Sequence, residues 1–481
     1  MCHRNTNPAT TPSLRAQTRN LLNNRDDSSS SGDGGSQSAM TLKGGEVVRF
    51  CEVTLPASKS ESNRALMIAA YGGFKPDFQN LSDSHDTKVL SEALVSIDSM
   101  PCTVPRWKCI AFDEVNDIEG KLQIIDIADC GTAARFLTTY LACHEGNWLL
   151  TGADRMKCRP MAPLVEALQS LGADIQYVGN EGCLPLHIKG KTISGGKVRI
   201  DASRSSQFAS SLLLAAPMWS QGLEMNLVGN LSSVPYLDMT LAMMQHFGAE
   251  CEKHGNTVMV SPKPYKSNGF VVDLDWSAAS YWYEMAAFSE ECEIRLKSLN
   301  SLSGSRYTPF AVHVMPTDEG RSASTGCFGR YDLNALSCWQ GDAVIAEWMT
   351  QLGVGTFVDG NDLILRKIPF EKRSLSFDFC DHPDLFPTLA ATCAGLHVEA
   401  CFTGLDNLHL KESDRVEAMQ QELSKLGSHP IRFCAHGDHR IVMALAPLSL
   451  LVGDIGFDHP EVVEKSYPTF WRDASFLPIL R

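Results

Sequence analysis

Five consecutive residues, Lys411 to Arg415 (Lys-Glu-Ser-Asp-Arg), carry four charges directly before an amphipathic stretch marked by Val416, Met419, Leu423 and Leu426. A lysine and a glutamate side by side at a helix start can hold an anion and move a proton at one spot. Ser413 is the expected N-cap there, with Asp414 in the first turn. Alone, such a segment reads as a solvated first turn. Similar segments recur along the chain. Leu55 to Arg64 (LPASKSESNR) places Lys59, Ser60 and Arg64 in an apparent loop before a helix expected over 65–70. Asp129 to Arg135 (DCGTAAR) has Gly131, where backbone can approach a ligand, and Thr132 as an expected cap. Ser203 to Gln207 (SRSSQ) collects hydroxyls, a guanidinium and an amide, a set suited to a phosphorylated or polyhydroxylated ligand.

Further cations lie in Thr151 to Pro160, with three in five residues, and in Asp438-His-Arg440 and Lys465-Ser-Tyr-Pro468. Such density is costly unless anions or carboxylates face it. If the helix starts converge, Lys59, Arg64, Arg155, Lys411, Arg415, Arg440 and Lys465 would gather around small, multiply anionic substrates. Asp384, in His382-Pro-Asp384, and Glu412 would then be the carboxylates available for proton transfer. Ser233-Val-Pro-Tyr236 could add a hydroxyl and a phenol over a ligand ring.

The elements that must position these residues follow from a repeat. Four amphipathic helices end in glycine and run into strand-like sequence: 164–172, 237–248, 344–353 and 416–427. Each glycine stands where a left-handed C-cap is expected. Gly172, Gly248, Gly353 and Gly427 are spaced 76, 105 and 74 residues apart. A unit of about 75 residues, with an insertion in the third, accounts for all three gaps. The insertion falls at 303–332, rich in Gly, Ser, Thr and Pro. Only eight residues separate Gly427 from His436, so the last unit lacks room for at least one strand.

Bulk composition narrows the function. The 481 residues carry 44% hydrophobic and 20% charged side chains and a formal net charge of −14. That balance fits a globular chain and argues against a nucleic-acid surface. No apolar run reaches the roughly 18 residues of a membrane span. Sixteen cysteines without a CxxC pair fit reduced thiols and a cytoplasmic location. His436-Gly-Asp-His439 has no Cys or carboxylate cluster beside it, so no metal is expected. Residues 1–39 are polar and Ser-rich and too poor in apolar residues to fold. The first 25 hold four arginines and no acid, a faint likeness to a plastid transit peptide without the helical apolar face.

The motifs LPASKSESNRAL, CGTAARFL, RMKCRP, SRSSQF, PYLDMTL, WSAASY, HPDLFPTLA, LKESDRVEAM, GDHRIVMA and KSYPTF occur in the order found in 5-enolpyruvylshikimate-3-phosphate synthases. The chain resembles that family from about Val47 to Asp473. The resemblance implies an α/β (α+β) fold of two domains, an inside-out α/β barrel built from repeated βαβαββ units. It divides the chain into a tail at 1–46, a discontinuous domain at 47–57 and 273–481, and a second domain at 58–272. It implies transfer of the enolpyruvyl group of phosphoenolpyruvate to the 5-hydroxyl of shikimate 3-phosphate, by a monomer without metal or cofactor. By the same resemblance, Ser60, Arg64, Ser205, Ser206, Ser233, Tyr236, Asn407 and Lys411 hold shikimate 3-phosphate. Lys59, Gly131, Arg155, Arg415, Arg440 and Lys465 hold phosphoenolpyruvate, with Gln207 between the ligands. Asp384 deprotonates the 5-hydroxyl, and Glu412 with Lys59 protonates the methylene carbon.

The chain departs from that pattern at Asp129, where the family usually has Asn, and at Val234, which replaces a usual Lys. Two alternatives are a non-catalytic descendant that binds an anionic metabolite and a UDP-N-acetylglucosamine enolpyruvyl transferase. The second uses a loop cysteine as its acid, and LKESDR, SSQ and KSYP fit the shikimate enzyme better.

Overall fold

The computed structural model describes residues 50–98, 122–297, 310–312 and 336–480, except 361 and 372. The tail, Val47 and nearly all of the 303–332 insertion lie outside the described residues. Within the insertion, the described Phe310–Val312 pairs antiparallel with Leu336–Cys338.

One strand arrangement recurs three times. Gln123–Asp126 lies parallel to Gly146–Thr151, which pairs antiparallel with Leu186–Gly190, which pairs antiparallel with Asp174–Tyr177. Gly196–Asp201, Leu223–Val228, Thr257–Val260 and Cys251–His254 repeat that order. Cys51–Thr54, Glu293–Lys297, Asp362–Lys367 and Val354–Asp359 repeat it again. In this third sheet the first two strands are neighbours although more than 230 residues lie between them in the chain. The fold is therefore mixed α/β with an internal repeat. Leu223–Val228 alternates buried and more exposed residues, as a strand with one face turned outward does. One helix is enclosed on all sides: all thirteen residues of Trp276–Phe288 are buried.

The four C-cap glycines have φ of +95°, +85°, +86° and +99°, as the repeat requires. The short final unit behaves as its length dictates. Leu375–Asp378 and Ala400–Thr403 form a parallel pair, and no described hairpin extends it. The three-residue strand after Gly427, Ile431–Phe433, pairs with Ile455–Phe457 in a different sheet. Apolar side chains gather in two clusters. One draws on 57–272 plus Trp339, and the other on 53–55 and 274–477.

Several helix starts differ from the sequence reading. The first helix begins at Lys59 rather than Ala65, capped by Ser58, so Lys59, Ser60 and Arg64 are helical. Once Ser58 accepts from the Glu61 amide, helical geometry costs the following polar residues little. Cys130, not Thr132, caps Gly131–Cys143, because its sulfur reaches the Ala133 amide. Asp414, not Ser413, caps Arg415–Leu423 through the Glu417 amide. Ser413 instead donates to Asp438.

Candidate active site

Five helix starts meet at one cleft: Lys59–Gly72, Gly131–Cys143, Ser206–Ala215, Arg415–Leu423 and His439–Leu445. Each presents its first-turn residues to the same space, where unpaired amides and the positive ends of helix dipoles favour anions. Every site residue named from the sequence lines this cleft except Arg155 and Lys465.

Arg415 is the hub. It is 1% exposed and donates to three carboxylates: Nη1 to Asp384 at 2.8 Å, Nη2 to Glu412 at 3.0 Å and Nε to Asp438 at 2.8 Å. Two of its bonds thus fix the carboxylates expected to move protons, and the other two anchor it on Asp438. Asp384 is also held by Arg440 at 2.8 Å, with Lys411 at 3.7 Å. Burial would raise the Asp384 carboxyl, but Arg440, Lys411 and Arg415 outweigh it and hold it well below the usual range. Burial acts the same way on Glu412, and Arg159, Arg415 and Lys465 overcome it. Both carboxylates are therefore ionised at neutral pH while the cleft is empty of other anions.

The hydroxyl-rich side is built on neighbouring helices. Arg64 is buried and donates to Thr240 Oγ1 at 2.7 Å and the Ser60 carbonyl at 2.9 Å; burial lowers its pKa to about 10. Ser205 caps its helix through the Gln207 amide, and Gln207 Nε2 donates to Thr132. Ser233 adopts a left-handed backbone, φ 56°, and its amide donates to the Cys380 carbonyl. Asn407 donates to Ser232 at 2.7 Å.

The second cationic group differs in detail from expectation. Arg155 lies outside the cleft and donates to the backbone carbonyls of Glu412 and Lys411, at 2.9 and 3.1 Å. Arg159 faces the cleft instead, with Nη1 3.5 Å from Glu412. The 3-10 turn Met156–Cys158 and the extended backbone at Arg159 send the two side chains apart. Lys465 sits just behind the lining. It pairs with Asp129 at 2.5 Å and with Asp86 at 3.4 Å, while Lys59 holds the other Asp86 oxygen at 3.0 Å.

Asp86 and Arg135 are not among the site residues read from the sequence, and His439 enters there only through the His436-Gly-Asp-His439 and Asp438-His-Arg440 segments. Asp86 reads as an ordinary first-turn acid of His85–Asp98. Arg135 is buried and braces the cleft wall by donating to the carbonyls of Gly131 and Pro160. Its place in DCGTAAR was the available signal. His439 lies in the cleft, where burial with Lys59 and Arg440 keeps it well below the usual histidine pKa, while His436 turns away to Glu422 at 2.8 Å. Among the described residues no three metal-ligating side chains cluster, and no helix is long and apolar enough to cross a membrane.

A repeated α/β fold whose helix starts converge on a cleft with at least six cations and two guanidinium-held carboxylates defines an enzyme site for small polyanions. Residues 49–308 and 335–474 match the profile of the family described as EPSP synthase (3-phosphoshikimate 1-carboxyvinyltransferase). A 3-phosphoshikimate 1-carboxyvinyltransferase of Bacteroides fragilis is 37% identical over 443 residues, spanning 88% of this chain and 93% of that one. The protein of the same name in Haemophilus influenzae is 31% identical and covers 88% and 95%. The solved EPSP synthase of Acinetobacter baumannii shares the fold, with a TM-score of 0.59 at 19% identity, over 90% of this chain and 96% of its own. The chain belongs to the EPSP synthase family and is a transferase of the shikimate pathway.

Proposed function

We propose that the cleft carries out enolpyruvyl transfer from phosphoenolpyruvate to the 5-hydroxyl of shikimate 3-phosphate with the division of labour below. The observation that carries this reading is Arg415 holding Asp384 and Glu412 at the meeting point of the five helix starts. Ser60, Arg64, Ser205, Ser206, Ser233, Tyr236, Asn407 and Lys411 hold shikimate 3-phosphate, with Gln207 between the two substrates. Lys59, Gly131, Arg159, Arg415 and Arg440 hold phosphoenolpyruvate, and Lys465 supports them from behind. Arg159 replaces Arg155 in this set because it alone of the two lines the cleft.

Asp384 takes the proton of the 5-hydroxyl as oxygen attacks the enol carbon. Glu412, with Lys59, delivers a proton to the methylene carbon and removes one again as phosphate leaves. Glu412 is a poor acid while three cations hold it ionised. The carboxylate and phosphate of phosphoenolpyruvate would occupy Arg159 and Arg415, cancel that field and let its pKa rise. Substrate binding thus loads the acid. Water is excluded as the walls close, which strengthens the electrostatics on the developing oxocarbenium-like charge.

The two hydrophobic clusters are read as two lobes, 47–57 with 273–481 and 58–272, assembled as an inside-out barrel. A cytoplasmic monomer without cofactor is the accompanying reading, supported by the cysteine usage and family resemblance.

The test is phosphate release from phosphoenolpyruvate with and without shikimate 3-phosphate, on the native protein and Glu412→Gln. Release should require shikimate 3-phosphate and fall at least about a hundredfold in the variant. A folded native protein that binds shikimate 3-phosphate and releases no phosphate would sink the assignment.

A further inference from the structure

We infer that Asp342 is a positioning residue for the base, the far end of an Asp384–Tyr236–Asp342 relay that receives the proton taken from the acceptor hydroxyl. The inference rests on Asp384 being that base. Asp342 lies in the 3-10 segment Gly341–Val344 and is fully buried behind the cleft wall. The Tyr236 hydroxyl stands between the carboxylates, 3.1 Å from Asp342 Oδ2 and 3.4 Å from Asp384 Oδ2. One hydroxyl carries one proton, so it bonds one carboxylate at a time, and the nearer is Asp342.

The surroundings of the two carboxylates differ in kind. Asp384 is bonded by Arg415 and Arg440, so a proton placed on it opposes two guanidiniums. Among the described residues no cation is in hydrogen-bond contact with Asp342. Its Oδ2 accepts from Ser277 and Tyr236, with Gln340 at 3.4 Å. Among the described residues its Oδ1 has no hydrogen-bond partner, and the similarly unpaired His382 Nδ1 is 4.0 Å away. The charged or titratable groups facing it are Asp384, His382, Tyr236, Arg440 and Asp275. Burial, reinforced by Asp384, raises its pKa to about 6. A proton arriving on Asp384 therefore moves downhill toward Asp342.

The step balances. The acceptor O–H bond breaks as its oxygen bonds the enol carbon, and the proton goes to Asp384. That proton passes to the Tyr236 oxygen as the Tyr236 proton moves to Asp342 Oδ2. Asp384 is again a carboxylate, Tyr236 is neutral and Asp342 is the acid. When phosphate departs, the proton returns from Asp342 through Tyr236 to Asp384 and from Asp384 to an oxygen of the departing phosphate, so each turnover restores all three groups.

The experiment measures kcat for phosphate release between pH 5 and 9, together with KM and binding affinity for shikimate 3-phosphate. The proteins are native, Asp342→Asn, Tyr236→Phe, the double variant and Asp384→Asn. Asp342→Asn should lose about 10- to 100-fold in kcat, with KM and affinity within about threefold of native. The native kcat should fall as pH drops through about 6, where Asp342 becomes protonated, and this limb should be missing from Asp342→Asn. In the Tyr236→Phe background, Asp342→Asn should add little, because the relay is already cut. An unchanged kcat, or a native acid limb in Asp342→Asn, with Asp384→Asn down about a hundredfold or more, overturns the relay alone. A native rate in Asp384→Asn overturns the base assignment and the relay with it. If Asp342→Asn does not fold, Tyr236→Phe must lose the acid limb, and its retention overturns the relay.

Discussion

Lys465 Nζ binds Asp129 twice, at 2.5 Å to the carboxylate and 2.9 Å to the backbone carbonyl, across 336 residues of chain. Burial disfavours the Lys465 charge, but Asp86, Glu412 and Asp129 more than offset it and raise the pKa. Asp129 thus neutralises a cation proposed to serve phosphoenolpyruvate. Asp129→Asn keeps the backbone acceptor and removes one negative charge. The KM for phosphoenolpyruvate should fall about three- to tenfold, on the scale of 1 kcal/mol for one nearby charge. A rise would mean that the carboxylate aims Lys465 rather than competing for it.

Arg159 and Arg155 separate by experiment. Arg159→Ala should raise the KM for phosphoenolpyruvate by about 100-fold, as loss of a charge-assisted contact to a bound anion predicts. Arg155→Ala removes two bonds to the backbone of Lys411 and Glu412, so it should lower kcat by about tenfold through misplacement of Glu412. Steady-state kinetics on both variants decide this, and equal effects on KM would refute the division.

Gly131 has a steric duty. A Cβ there would lie 2.6 Å from Nη1 of both Arg135 and Arg159. Gly131→Ala should displace these guanidiniums and raise the KM for phosphoenolpyruvate by about tenfold or more. Affinity for shikimate 3-phosphate and the melting temperature should change little, and a large loss in either would count against this local account.

The Arg415 cluster sets acid stability. Asp384 and Glu412 have folded-state pKa values below their usual ones, so their contribution is complete above about pH 5 and is lost as pH falls through the folded values. Arg415→Met leaves Asp384, Glu412 and Asp438 without their shared partner and should cost about 3–5 kcal/mol at pH 7. Acid loss should also begin at a higher pH. Urea unfolding from pH 3 to 8 reads both effects.

Glu284 makes the opposite prediction. It sits in the middle of Trp276–Phe288, fully buried, with neither carboxyl oxygen paired among the described residues, and burial raises its pKa well above 4.5. The native state binds this proton more tightly than the unfolded chain, so stability falls as pH rises between the unfolded and folded pKa values. Glu284→Gln should gain about 1–3 kcal/mol at pH 8 and little at pH 4. Equal gains at both pH values would show that titration is not the cause.

Much of the site was legible because the signals were local. A cap, a cation and a hydroxyl within a few residues of a helix start can be read without knowing the fold, so the segments 129–135, 203–207, 411–415 and 438–440 stand out as helix entries, although the caps at two of them are Cys130 and Asp414 rather than Thr132 and Ser413. The first helix was placed six residues late because Ser, Glu, Asn and Arg between 59 and 64 look like loop. Their hydroxyls and charges are in fact satisfied by distant groups such as Thr240 for Arg64. Asp86, Asp342 and Arg159 were missed for a related reason, since what marks each is a partner far along the chain.

By itself the sequence determined the repeat, the glycine C-caps, the shortened last unit and the residue types that meet at the cleft. These depend on hydrophobic period, backbone sterics and chain length, all properties of short segments. The tertiary structure decided which of two arginines four residues apart faces the cleft, and that Arg415 holds the carboxylates. It also decided that Lys465 answers Asp129 and that a second buried carboxylate stands behind Asp384. Those outcomes turn on distances of a few ångströms between segments tens to hundreds of residues apart, and only the packed chain sets such distances.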